Sequence, residues 1–423
     1  METKILLSGL CVMFSCLVFG QPYLQNGGKV NKSNQVYTAT KTDESGVLVS
    51  DGGSLTLENS KITTSGNTSS QEKSSFFGLN AGVLAKSGSE IILNNCTVYT
   101  SGTGANGVFA TGKGSSVILN NDSIICLREG GHGVDATLEG SLTLNNVYIN
   151  TSGAHGAAIS TDRGGGTIVV NGGEAIASGE DSPGLYSTGT ITVSNSIIKG
   201  AGAEAAVIEG ANTITLTNTN MTAAKGTRDR GVFIYQSMSG DAIGNRGVFS
   251  MTGGSLSWPS ATGPLFYISN TTGVINLSDV TITNSSPILL KAAADVWGNA
   301  GSNGGNVVLT ADNQVLDGKI ISDDHSSVSI SLKNKSVLTG SINIAAITID
   351  GTSTWVVTDD SYLTTLSDKA GISGTTITNI KGNGHSVYYD SSLAGNSFLN
   401  GKTYTLDGGG FLKSTTTLNT RDK

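Results

Sequence analysis

The residues best equipped for chemistry gather around His132. It sits in Gly131-His132-Gly133, with Asp135 just beyond and His155 one repeat further on. A histidine beside a carboxylate is the equipment of general acid–base chemistry, and glycoside cleavage asks for two carboxyls about 5–10 Å apart. Aligning the repeats puts His132 level with Asn106 and His155, each just before a repeat-opening glycine. Asp135 then shares its column with Phe109 and Ala158, so no second carboxylate is expected beside it. Two stacked histidines suit a metal, but Asn106 and Pro183 flank the pair and no third Asp, Glu or Cys shares the register. The doublets Asp323-Asp324-His325 and Asp359-Asp360 sit in turns, and calcium needs several oxygens converging on one point. Neither catalysis nor a metal nor a cofactor is expected.

Binding is the alternative to catalysis, and large side chains in irregular stretches carry it. Residues 66–81 hold Phe76-Phe77, residues 226–246 hold Arg228, Arg230 and Tyr235, and residues 291–306 hold Trp297 in a Gly/Asn-rich run. Exposed aromatics of this kind dominate binding energy at interfaces. Phe76, Phe77, Tyr235 and Trp297 are therefore the candidate ligand contacts.

These stretches interrupt a repeat of about 25 residues, the period of a solenoid. A Gly-Val/Ala run recurs at Gly46, Gly82, Gly107, Gly133, Gly156, Gly184 and Gly231, each followed by two apolar-alternating strands. Leu55/Leu57, Ile91/Leu93, Val117/Leu119, Leu142/Leu144, Ile168/Val170, Ile191/Val193, Ile214/Leu216, Phe249/Met251 and Ile275/Leu277 occupy one pair of positions. Five residues on comes a second apolar column: Ile62, Val98, Ile124, Ile149, Ala175, Ile198, Met221, Leu256 and Ile282. Period-2 apolar positions face one side of a strand, and stacking turns them into one core that no single repeat could bury. Between the columns run Asn59, Asn95, Asn121, Asn146, Asn195 and Asn218, expected as a structural ladder of stacked amides at a tight bend.

The predicted fold is all-β, a right-handed parallel β-helix of roughly 13 rungs at about 4.8 Å each. Its divisions are a signal peptide (1–20), an N-terminal cap that is the one place helix is expected (21–45), regular rungs (46–306), tighter rungs (307–366), and closing strands with a polar tail (367–423). The tighter rungs show an echo, Leu316-x-Gly318-x-Ile320 against Leu338-x-Gly340-x-Ile342, and are expected to end near Trp355.

Composition narrows the function classes. Gly contributes 58 of 423 residues, charged residues only 13%, and the net charge is −7. Short polar side chains fill the gap, and the absence of any Lys/Arg run argues against nucleic acid. Lys4 and the apolar run Ile5–Phe19 read as a secretory leader, with cleavage expected after Gly20. Lipidation at Cys16 fits less well, because Leu17, Val18 and Phe19 are apolar and Met13 is a poor upstream residue. Cys96 falls beside Asp122 and Cys126 beside Thr100, so the sulfurs lie roughly 13 Å apart along the strand direction, beyond disulfide reach. Two free thiols are expected.

The runs GVLVSDGGSLTLENSKITTSG, LTADNQVLDGKI and GTSTWVVTDDSYLTTL resemble pertactin-like passenger domains of bacterial autotransporter adhesins, over roughly 46–366. The resemblance implies a secreted or cell-surface rod, associated with the outer membrane or cell surface, that engages a host-cell or matrix glycan or protein. A monomer is expected. The family's C-terminal membrane barrel, built from at least eight ten-residue strands, is not legible after Leu366, so either another route to the surface or release is expected. Gly131-His132-Gly133 also resembles the motif of β-helical polygalacturonases, which makes a polysaccharide lyase or hydrolase the alternative function.

Overall fold

The computed structural model describes residues 20–416 and residue 418; the apolar leader, Cys16 and Arg421-Asp422-Lys423 lie outside them. Strand makes up 53% of the chain and helix 3%, wound as a right-handed parallel solenoid of about 16 turns. A typical turn has three strands, such as Val83–Lys86, Glu90–Asn94 and Thr97–Thr100. Each pairs in parallel with its equivalents one turn before and one turn after. The hydrogen bonds between turns therefore run along the axis of the rod.

The expected columns hold residue by residue. Leu55 lies on Ile91, then Val117, Leu142, Ile168, Ile191, Ile214, Phe249 and Ile275. Ile62 lies on Tyr37 and continues the third-strand column through Ala175 to Ile282. These side chains form one core along the axis, filled midway by the fully buried Trp258, Phe249 and Phe266. The 22-residue echo pairs Leu316 with Leu338 and Ile320 with Ile342.

Coiling extends beyond the expected limits at both ends, which accounts for about 16 turns rather than 13. Residues assigned to a cap form a complete first turn, Tyr23–Asn26, Lys29–Ser33 and Val36–Ala39, without helix. Coiling also continues past Trp355, whose buried indole donates to the Gly340 carbonyl at 2.9 Å. Ser361–Ser367, Ser386–Asp390 and Phe411–Thr415 stack as further turns. Antiparallel pairing closes the end, between Ile372–Ser373 and Thr376–Lys381 and between Tyr404–Asp407 and Phe411–Thr415.

Asn59, Asn95, Asn121, Asn146, Asn195 and Asn218 all have left-handed backbone, φ between 48° and 57°. Gly172, Gly253 and Asp279 hold the same conformation in that column. The bend is as expected but the ladder of stacked amides is not: all six side chains are exposed, with one bond between them, Asn146 to Asn121 at 3.0 Å. The amide ladder runs one position earlier. Asn120 donates to Asn94 at 2.9 Å, Asn145 to Asn120 at 2.8 Å and Asn171 to Asn145 at 3.0 Å.

Cys96 and Cys126 are buried free thiols. Cys126 occupies a column that holds Thr100 and Thr151 on either side. Those threonines donate to the Ala105 and Gly156 carbonyls, and the Cys126 thiol makes the same kind of contact with the His132 carbonyl at 3.3 Å. Burial pushes that thiol up to about 12, so it is an inert packing group.

Candidate functional site

One turn contradicts the alignment around His132. Val134 pairs with Ile159, so Gly133 stacks on Ala158, and Gly156 lies in the loop that leads into that strand. Gly133 is needed for close approach, since an added Cβ would meet the Ala158 carbonyl oxygen at 2.5 Å. The two-residue shift moves everything nearby. His132 is level with Asn106, as expected, and with Ala157 rather than His155. Asp135 lies between Phe109 and Ser160, not Ala158. Asp162, level with Thr137, becomes its diagonal neighbour.

His132 is thereby fixed as a neutral ring. Its Nδ1 accepts the Ala157 N–H at 3.0 Å, which leaves the proton on Nε2, and burial lowers its pKa to about 4. Asp135 is fully buried; burial and the adjacent Asp162 push its carboxyl well above the usual range. Asp162, desolvated and facing Asp241 and Glu209, rises to about 7. His132, Asp162, Asp181 and Tyr186 line one cavity of about 380 Å³.

Three insertions roof and wall this face. Residues 66–81 form the helix Gln71–Phe77, which starts where the Ser70 side chain accepts the Lys73 N–H and stops at left-handed Gly78. Phe76 is corrected from ligand contact to packing: it is 8% exposed, with the Arg163 guanidinium 3.7 Å from its ring centre. Phe77, 47% exposed, faces solvent. Arg163 also pairs with Glu72 of the helix and, at 2.8 Å, with Asp241 of the second insertion. That insertion is shorter than expected, because Val232–Tyr235 is a regular strand of the solenoid. Tyr235 is therefore a strand residue.

Tyr235 and Trp297 come together, their rings 5.5 Å apart. Phe233 stacks on Tyr235 at 4.3 Å and on Tyr267 one turn later at 5.6 Å. Buried beneath them, Glu209 accepts the Tyr186 hydroxyl at 2.7 Å, the Tyr235 hydroxyl at 2.9 Å and the Ser237 hydroxyl. Arg230 lies 3.3 Å over the Phe233 ring and donates to Glu204 at 2.6 Å. The set floors a trough that continues from the His132 cavity, sharing Asp181, Pro183 and Tyr186 with it, toward Arg228 and Lys291.

Tyr186, Phe233, Tyr267 and Glu209 were missed in the sequence. The signal was present: aromatics follow the turn-opening residue in Gly184-Leu185-Tyr186, Gly231-Val232-Phe233 and Leu265-Phe266-Tyr267, outward in one column of first strands that Val207 interrupts between Tyr186 and Phe233. The acidic doublets organise turns. Asp323 accepts from Ser326, His325 and Ala294, and Asp360 accepts the Ser386 N–H. Among the described residues no group of three His, Cys, Asp or Glu is placed to hold a metal, and no helix is long and apolar enough to cross a membrane. The chain matches no known family profile and no curated protein.

Proposed function

We propose that this chain is a secreted or cell-surface binding rod of the pertactin-like adhesin kind, and that its ligand is a host-cell or matrix glycan held in the trough. One observation carries the reading. Three insertions meet on a single face: the helix insertion and the second are joined through Arg163 beside the Tyr186 end, and the third brings Trp297 onto the cluster of Tyr186, Phe233, Tyr235 and Tyr267, whereas the bends elsewhere present small polar side chains such as the exposed asparagine column. Tyr186, Tyr235 and Trp297 are partly exposed; such rings offer apolar faces to the C–H side of a pyranose, and their polar edges suit its hydroxyls. Glu209, with three hydroxyl donors on its carboxylate, fixes the ring orientations before any ligand arrives. That preorganisation lowers the entropy cost of binding.

A glycan array probed with the purified chain tests this. Binding should appear and weaken about tenfold in Trp297→Ala, the loss of about 1.4 kcal/mol of contact. Binding unchanged in both Trp297→Ala and Tyr186→Ala removes the trough as the site.

Asp162 favours a second reading. A carboxyl near pKa 7 on the wall of a cavity that also holds Asp181 has the protonation state a glycosidase acid needs at neutral pH. Release of reducing ends from a polysaccharide, abolished in Asp162→Asn, would replace the binding reading with hydrolysis.

A further inference from the structure

We propose that the far end of the trough, between Arg228 and Lys291, takes the carboxylate of an acidic sugar, so that the glycan bound on this face is a uronic or sialic acid polymer rather than a neutral one. The inference rests on the glycan reading above and specifies its chemistry. The two cations line a cavity of about 430 Å³ with Arg230, Tyr267 and Asp295. Every acid there already has a cation. Arg230 holds Glu204 at 2.6 Å and Asp295 at 3.8 Å. Asp229 faces Lys225 at 3.4 Å and accepts the Thr262 hydroxyl.

Arg228 and Lys291 are different. Among the described residues neither has an ion pair or donates a side-chain hydrogen bond. Each is placed by a ring instead: the Arg228 guanidinium is 5.4 Å from the Trp297 ring centre, and the Lys291 ammonium 5.8 Å from that of Tyr267. A π face steadies a cation without occupying its N–H donors, so the donors remain for a ligand. In a chain of net charge −7, two uncommitted cations at one cavity select for an anion locally. The planar guanidinium fork matches a carboxylate. Rings beside the charge suit a pyranose carrying that carboxylate, whereas a nucleic acid would need a track of many cations.

The test compares matched probes on the full chain at low salt: an oligouronate against its methyl ester, sialyllactose against lactose, and a sulfated oligosaccharide. The free acids should bind roughly tenfold tighter than their neutral counterparts, the worth of one charge-assisted pair. Arg228→Gln with Lys291→Gln should erase that preference, leave binding of the neutral probe intact and leave the melting temperature unchanged. Equal affinity for acid and ester overturns this proposal and leaves the glycan reading standing. So does a preference that survives in the double variant, which places the carboxylate elsewhere, or binding of the sulfated probe alone. Binding of no probe at all defeats the glycan reading itself, and this proposal with it.

Discussion

His132 and Asp162 titrate in opposite senses on one wall of the trough. Burial lowers the His132 pKa to about 4, so its contribution to stability is full above its ordinary value near 6.5 and is lost as pH falls toward 4. Burial and neighbouring acids raise Asp162 to about 7, so its contribution is full below the ordinary value near 3.8 and is lost as pH rises through 7. Asp135 shifts in the same direction as Asp162. His132→Asn keeps an acceptor for the Ala157 N–H without a chargeable ring, and should raise the melting temperature near pH 4 but not near pH 8. Asp135→Asn should do the reverse, stabilising near pH 8 and changing little near pH 4. A calorimetric series across pH reads both, and an Asp135→Asn variant that melts lower near pH 8 would show an ionised, paired carboxylate there. This pairing of acids was hidden in the sequence by two residues of slip at Gly156. A turn glycine and a strand glycine look alike in letters, and Ala158 occupies the strand position because a methyl group still fits.

At the level of elements, the asparagines separate two physical demands that the repeats superimpose. Asn121 serves the backbone: asparagine tolerates a left-handed conformation that costs most other residues about 1–2 kcal/mol. Asn121→Leu should therefore destabilise by about 1 kcal/mol and Asn121→Gly by clearly less, read from denaturant midpoints. Asn120 serves its neighbours. Asn120→Leu cuts two amide bonds, to Asn94 and from Asn145, at about 1 kcal/mol each. Equal costs for Asn121→Leu and Asn121→Gly would mean that side-chain bonding, not backbone, sets that column. The paired letters Asn94-Asn95, Asn120-Asn121 and Asn145-Asn146 announced two columns, but a period-2 reading assigns faces only along a strand and fails at the bend. The helix Gln71–Phe77 likewise gave no periodic signal, being two turns long. Phe76→Ala should cost about 3 kcal/mol, as for a buried aromatic, and Phe77→Ala close to nothing.

The whole molecule follows from stacking, and its register was legible because each column repeats the same side-chain type at the same offset over many turns. What the columns could not supply was the endpoint. The first turn carries exposed Leu24 and Val36, and the last turns bring in tyrosines and antiparallel pairing, so the pattern fades before the coil does. Sixteen turns at the strand spacing give a rod roughly 75 Å long, a length that small-angle scattering measures directly; a particle near 60 Å would mean that the end turns are not wound.

Axial hydrogen bonding also fixes how such a rod meets tension. Pulled end to end, the coil presents its inter-turn bonds to the load one ring at a time, like a zipper opened from a terminus, rather than all at once in shear. Each turn that peels away releases about 25 residues, close to 80 Å of chain once the 4.8 Å rise is subtracted. A force spectrometer should record a sawtooth of that step size at modest and similar forces. It should break rhythm near the middle, where Arg163 and Arg230 clasp the insertions across several turns. A rod tethered at one end and holding its ligand at that clasp would then lengthen under drag without letting go.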